Sequence, residues 1–85
     1  MKLYGLYYVR WHDAVQPRPE WSSLDELQDM TATKCSSVGW LVAESSDSYV
    51  FAPNVSWDEN GNIECASGSF TIPQSAIVYS LPIVL

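Results

Sequence analysis

Apolar and polar residues alternate along most of the chain with the period of an extended strand, and only one short stretch keeps helical spacing. Residues 3–11 are rich in Tyr, Leu, Val and Trp, a composition that predicts a strand. Its two faces are Leu3/Gly5/Tyr7/Val9/Trp11 and Tyr4/Leu6/Tyr8/Arg10. Both are largely apolar, so both are expected to be covered. Residues 12–21 then turn irregular, because Pro17 and Pro19 cannot continue a ladder. Ser23 and Glu26 stand at capping-box spacing, and Leu24, Leu27 and Met30 follow at i, i+3 and i+6, which predicts a short amphipathic helix over 23–30.

From Lys34 onward the pattern is all β. Residues 35–44 set Val38/Trp40/Val42 against Cys35/Gly39/Leu41/Ala43. Glu44–Ser48 is a polar turn into a strand over 49–52, and Pro53 marks an edge or bulge. Asp58-Glu59-Asn60-Gly61-Asn62 carries the clearest turn chemistry, with Asn60-Gly61 suited to positive φ. Ile63–Ile72 predicts a fourth strand, Pro73-Gln74-Ser75 a tight turn, and residues 76–81 a fifth strand. Five strands, one early helix and a helical turn before the last strand predict a mainly β protein. The expected architecture is a small five-stranded SH3-like or Sm-like barrel, forming a single domain over 1–85. An oligonucleotide-binding barrel fits less well, since its helix usually falls between the third and fourth strands, where this chain has only a turn.

Composition narrows the class. Eighty-five residues with ten acidic and four basic side chains give a formal charge of −6, too few cations for a monomer whose main work is neutralising phosphate. A hydrophobic fraction of 47% excludes a disordered acidic tail. The apolar run near the amino terminus is short, broken by Gly5 and ended by Arg10, so no signal peptide is expected. No stretch reaches the roughly 20 apolar residues of a membrane span. Cytoplasm is the expected location, without membrane association, and Cys35 and Cys65 read as buried free thiols.

Catalytic chemistry finds little support. His12 is the only histidine, and neighbours on an extended chain face opposite sides, so His12 and Asp13 do not converge on one ion. Asp13 fits better as an acceptor for backbone amides in the following turn. A Cys35–His12 pair has only its residue types in its favour. The serines cluster at caps and turns, no nucleophile elbow occurs, and the glycines are isolated. No enzyme activity, metal or cofactor is expected.

Binding is the better expectation. Four Trp, five Tyr and two Phe exceed what one small core holds, so some of Tyr8, Trp21, Trp57 and Tyr79 should reach the surface. The apolar carboxyl end, Leu81–Leu85, either pairs within its own sheet or docks on a neighbour, and self-association into a homo-oligomer is expected. The candidate ligand-binding residues are Tyr8, Arg10, Trp11, His12, Asp13, Trp21 and Trp40.

Three segments in order, Val9-Arg10-Trp11-His12-Asp13-Ala14, Val38-Gly39-Trp40-Leu41-Val42-Ala43-Glu44, and Ile72-Pro73 with Ala76-Ile77, resemble a group of small uncharacterised phage and prophage proteins. The Pro17-Arg18-Pro19 stretch and the apolar tail depart from that pattern. The resemblance implies a phage product acting in the host bacterial cytoplasm, where small acidic proteins often counter antiviral defence. Two routes fit: an inhibitor presenting Asp25, Glu26, Asp29, Asp58 and Glu59 to a host protein, or an oligomeric sponge for a signalling nucleotide. An Sm-like RNA-binding ring, concentrating Arg10 or Lys34 at a pore, is a third reading, and a structural accessory protein without ligand a fourth.

Overall fold

The computed structural model describes residues 1–15 and 17–85; Gln16, inside the segment expected to be irregular, lies outside the described residues. The elements in chain order are β1 (Leu6–Asp13), α1 (Leu24–Leu27), β2 (Thr33–Glu44), β3 (Ser48–Ala52), β4 (Asn54–Trp57), β5 (Ile63–Ser67), β6 (Phe70–Pro73), a 3-10 turn (Gln74–Ala76) and β7 (Ile77–Pro82). Every strand pairing is antiparallel. One sheet has five strands in the order β6-β3-β2-β1-β7, and β4 with β5 forms a second, two-stranded sheet.

The expected closed barrel is not formed. β6 and β7 are the two edges of the larger sheet. The chain leaving β6 enters the 3-10 turn instead of running beside β7. That turn is tied to the β2–β3 connection, where the Gln74 amide donates to the Asp47 carbonyl at 2.8 Å and the Gln74 side chain to the Ser45 carbonyl at 2.8 Å. Ala76 and Ile77 then pack against the core.

The core lies on one face of the five-stranded sheet. Tyr7, Val9, Leu41, Phe51 and Ile72 are buried together, with Trp11, Tyr49 and Phe70 packed around them. The period-two alternation accounts for this set, since Tyr7, Val9 and Trp11 share a face of β1. Burial of Leu41 and Phe51 stabilises by roughly 1.5–3 kcal/mol each. Gly39 sits opposite Tyr7 in the register, and a Cβ there would lie 3.1 Å from the Ala52 carbonyl oxygen and 3.2 Å from the Phe51 Cβ. Tyr7 keeps its polar end satisfied by accepting a 2.7 Å hydrogen bond from the Lys2 amide.

Four expectations are corrected. The outer face of β1 is only partly covered: Leu6, Tyr8 and Arg10 are half-buried. The helix is one turn, not two. Ser23 caps it by accepting from the Glu26 amide at 3.2 Å, but Leu24, Leu27 and Met30 are all exposed. A lone turn without tertiary burial does not propagate. Both cysteines are free as expected, yet neither is buried; Cys35 is half-buried and Cys65 is exposed on β5. The predicted fourth strand divides at Gly68-Ser69 into β5 and β6.

That division is shared by the partner strand. Phe51 pairs Phe70 and Asn54 pairs Ser67, so one register runs from β3–β6 into β4–β5 as far as Ser56 and Cys65, before a shift at Trp57, with Pro53 facing Gly68 at the break. Pro53 lacks an amide proton for the ladder, and Gly68 takes φ 73°. The hairpin ends in the Asp58–Asn62 turn, where the Asp58 carboxylate accepts from the Asn60 amide at 2.9 Å and the Asn62 amide at 3.0 Å. Gly61 supplies the positive φ, 83°.

Of the carboxyl end, Leu81 and Pro82 belong to β7, and the Ile83 amide donates to the Leu6 carbonyl at 2.9 Å. Val84 and Leu85 stay exposed. The molecule is elongated, with a radius of gyration of 16.6 Å against about 12 Å for a compact chain of this length. Among the described residues, no helix is long and apolar enough to cross a membrane.

Candidate functional site

The outer face of β7-β1-β2 carries Tyr8, Trp40 and Tyr79 together with Arg10, His12 and Lys34. Register places Tyr8 between Leu81 and Val38, Arg10 between Tyr79 and Ser36, and His12 beside Lys34. Because side chains alternate along each strand, these residues project from the face opposite the core. Tyr8 and Ser36 share a 3.0 Å hydrogen bond between their hydroxyls. The Arg10 guanidinium donates a long 3.5 Å bond to the Tyr79 hydroxyl and lies 5.8 Å from the centre of that ring. The Tyr8 and Tyr79 rings tilt towards each other, 6.3 Å apart.

These contacts shift two titrations. The bond from Ser36 holds the Tyr8 phenol below the usual range; partial desolvation opposes this, and the Arg10 charge adds to the lowering. Arg10 is pushed up, first by its bond to Tyr79 and then by the charge either phenol develops on ionising. Arg10 thus lies against the Tyr79 ring, with Tyr8 two residues before it on the same face.

The structure brings together Tyr8, Arg10, His12 and Trp40 from among the sequence candidates. Trp40 occupies the same face opposite Leu6, with its ring edge-on to Trp57 at 6.5 Å and 84°. Trp11 faces the other way; it packs on the core and donates its indole N–H to the Ser37 hydroxyl at 3.0 Å. Asp13 lies on that side too, and its carboxylate accepts from the Ala14 amide at 2.9 Å, a local turn contact. Cys35 sits opposite Trp11 and so projects away from His12. Trp21 stands apart in the segment between β1 and α1, fully exposed.

Tyr79, Ser36 and Leu81 complete the face without having been sequence candidates. Only the pairing of the first strand with the last and the second brings them to Arg10, and no local signal encodes that register. The segment joining β1 to β2 is a second feature. Trp21, Leu24, Leu27 and Met30 are exposed there beside Glu20, Asp25, Glu26 and Asp29. Among the described residues, no three His, Cys, Asp or Glu side chains gather where they would hold a metal ion. Comparison with known proteins finds no matching family model, curated protein or solved structure.

Proposed function

We propose that the chain is a non-enzymatic, phage-encoded binding protein that interferes with host antiviral defence by capturing an anionic, ring-bearing ligand such as a signalling nucleotide. The observation that carries this reading is Arg10, a cation between two tyrosines on the same face as His12 and Lys34. A guanidinium matches phosphate oxygens in paired geometry, and a phenol ring offers a stacking surface worth roughly 1–3 kcal/mol per base. The phage origin rests on the motif resemblance.

The strand order β6-β3-β2-β1-β7 and the 3-10 turn before β7 support an SH3-like or Sm-like architecture with its barrel left open. The open face encloses a ligand only when another copy covers it, and the unpaired edges of β6 and β7 favour such self-association.

Native mass spectrometry of protein purified gently from its bacterial host tests the reading. A symmetric oligomer carrying nucleotide mass is expected. Arg10→Ala should then weaken binding about tenfold or more while leaving the melting temperature unchanged. A wild-type protein that is an empty monomer overturns the proposal.

A second reading has its own observation. The exposed Trp21 and Leu24, flanked by acids, suit docking on a basic-rimmed apolar groove of a host protein. Under it, Trp21→Ala with Leu24→Ala abolishes co-purification of that protein, whereas Arg10→Ala does not.

A further inference from the structure

We infer that the cleft between the amino-terminal turn and the tip of the β4–β5 hairpin binds an organic ammonium cation. The inference is independent of the anion-binding face. The cleft has a volume of about 450 Å³ and is lined by Tyr4, Trp57, Gly61, Asn62 and Ile63, a size suited to a small ligand or a single side chain. Tyr4 is 57% exposed and Trp57 54%, and both belong to the lining of the cleft. Both rings sit on supported backbone. Tyr4 belongs to a turn closed by the Gly5 amide on the Lys2 carbonyl at 3.0 Å, and Trp57 pairs with Ile63 while meeting Trp40 edge-on.

Charge selects the ligand. No lysine, arginine or histidine belongs to the lining, and Lys2, two residues before Tyr4, lies outside it. The Asp58 carboxylate is bonded to the amide of Asn62, a wall residue, so a negative charge is anchored to the cleft wall. Glu59 follows it in the turn. Aromatic faces carry a negative quadrupole that attracts cations. An alkylated ammonium suits this site better than a bare one, since its weaker hydration is cheaper to strip. Lysine methylated on a partner protein and a free quaternary amine present the same chemistry here.

The test is a titration of the full chain with choline and with dimethylbutanol, its neutral isostere in which carbon replaces nitrogen, followed in amide and indole NMR spectra. Choline is expected to shift the Trp57 indole N–H and the Gly61 and Asn62 amides, binding about three- to fivefold more tightly than the isostere. Tyr4→Ala and Trp57→Ala should each remove those shifts, with the remaining spectrum reporting that the fold is intact. Tyr4 lies outside the core, so its variant serves even if the Trp57 variant fails to fold. Equal affinity for the isostere, no response at millimolar choline, or shifts that survive Tyr4→Ala overturn the inference. A trimethyllysine peptide binding more tightly than choline identifies a protein source, and equal binding a free amine; either outcome supports the cleft.

Discussion

Tyr8 and Arg10 are unremarkable residues for an exposed strand until their cross-strand neighbours are known. The Ser36 hydroxyl is the main cause of the lowered Tyr8 titration, ahead of the Arg10 charge. Ser36→Ala and Arg10→Ala are therefore each expected to return the phenol towards its ordinary range. NMR titration of the ring carbon bearing the hydroxyl checks both. A phenol whose folded pKa is lowered adds stability above the ordinary phenol range and loses it as pH falls through the folded value. Neither substitution should therefore change thermal stability at neutral pH through this phenol. At this scale much was legible from the chain. Alternation alone separated Tyr7, Val9 and Trp11 from Tyr8 and Arg10, although Trp11 was grouped with the ligand-binding candidates when its indole serves the core.

The long hairpin made of β3–β4 and β5–β6 shows what an element needs beyond its own residues. Gly61 and Gly68 have similar positive φ, 83° and 73°. A Cβ on Gly61 meets nothing within 4 Å, whereas one on Gly68 would lie 3.1 Å from Pro53 Cγ. Both alanine variants carry the backbone strain, of order 1 kcal/mol, but only Gly68→Ala adds a clash. Denaturant unfolding should therefore show Gly68→Ala to be the more destabilising by about 1 kcal/mol or more. The turn at 58–62 was legible because Asp58, Asn60 and Gly61 carry local chemistry. The interruption at Gly68 was not, since its meaning depends on Pro53, fifteen residues earlier in the chain. For α1 the spacing of Leu24, Leu27 and Met30 promised a buried stripe, and all three side chains stay exposed.

At the scale of the whole molecule, the buried side chains lie in the five-stranded sheet, and α1 and the β4–β5 hairpin contribute none. The approximate limits of β1, β2, β3 and β7 could be read from the sequence, whereas β4 and the division of the expected fourth strand into β5 and β6, which raise the count from five to seven, could not. Closure could not, because it depends on where the 3-10 turn directs the chain after β6, a long-range outcome of its bonds to Ser45 and Asp47. Segment 14–32 joins β1 to β2, which are paired along the full length of β1. Limited proteolysis is expected to cut first within 14–32, at exposed backbone, and the two fragments should co-elute with the sheet's circular dichroism retained. Separation of the fragments, or a first cut in the β4–β5 hairpin, would contradict the assignment of stability to the sheet.

The register shared across Pro53 and Gly68, which holds as far as Ser56 and Cys65, bears on how such a protein diversifies. Residues lost or gained in pairs on each strand beyond the break keep every remaining side chain on its own face, whereas single changes swap the faces. The buried set ends at Ala52 on one strand and begins after Phe70 on the other, so none of these changes reaches it. The reach of the tip is thus a heritable variable separable from foldability, and closely related proteins can differ by several residues there while sharing one core.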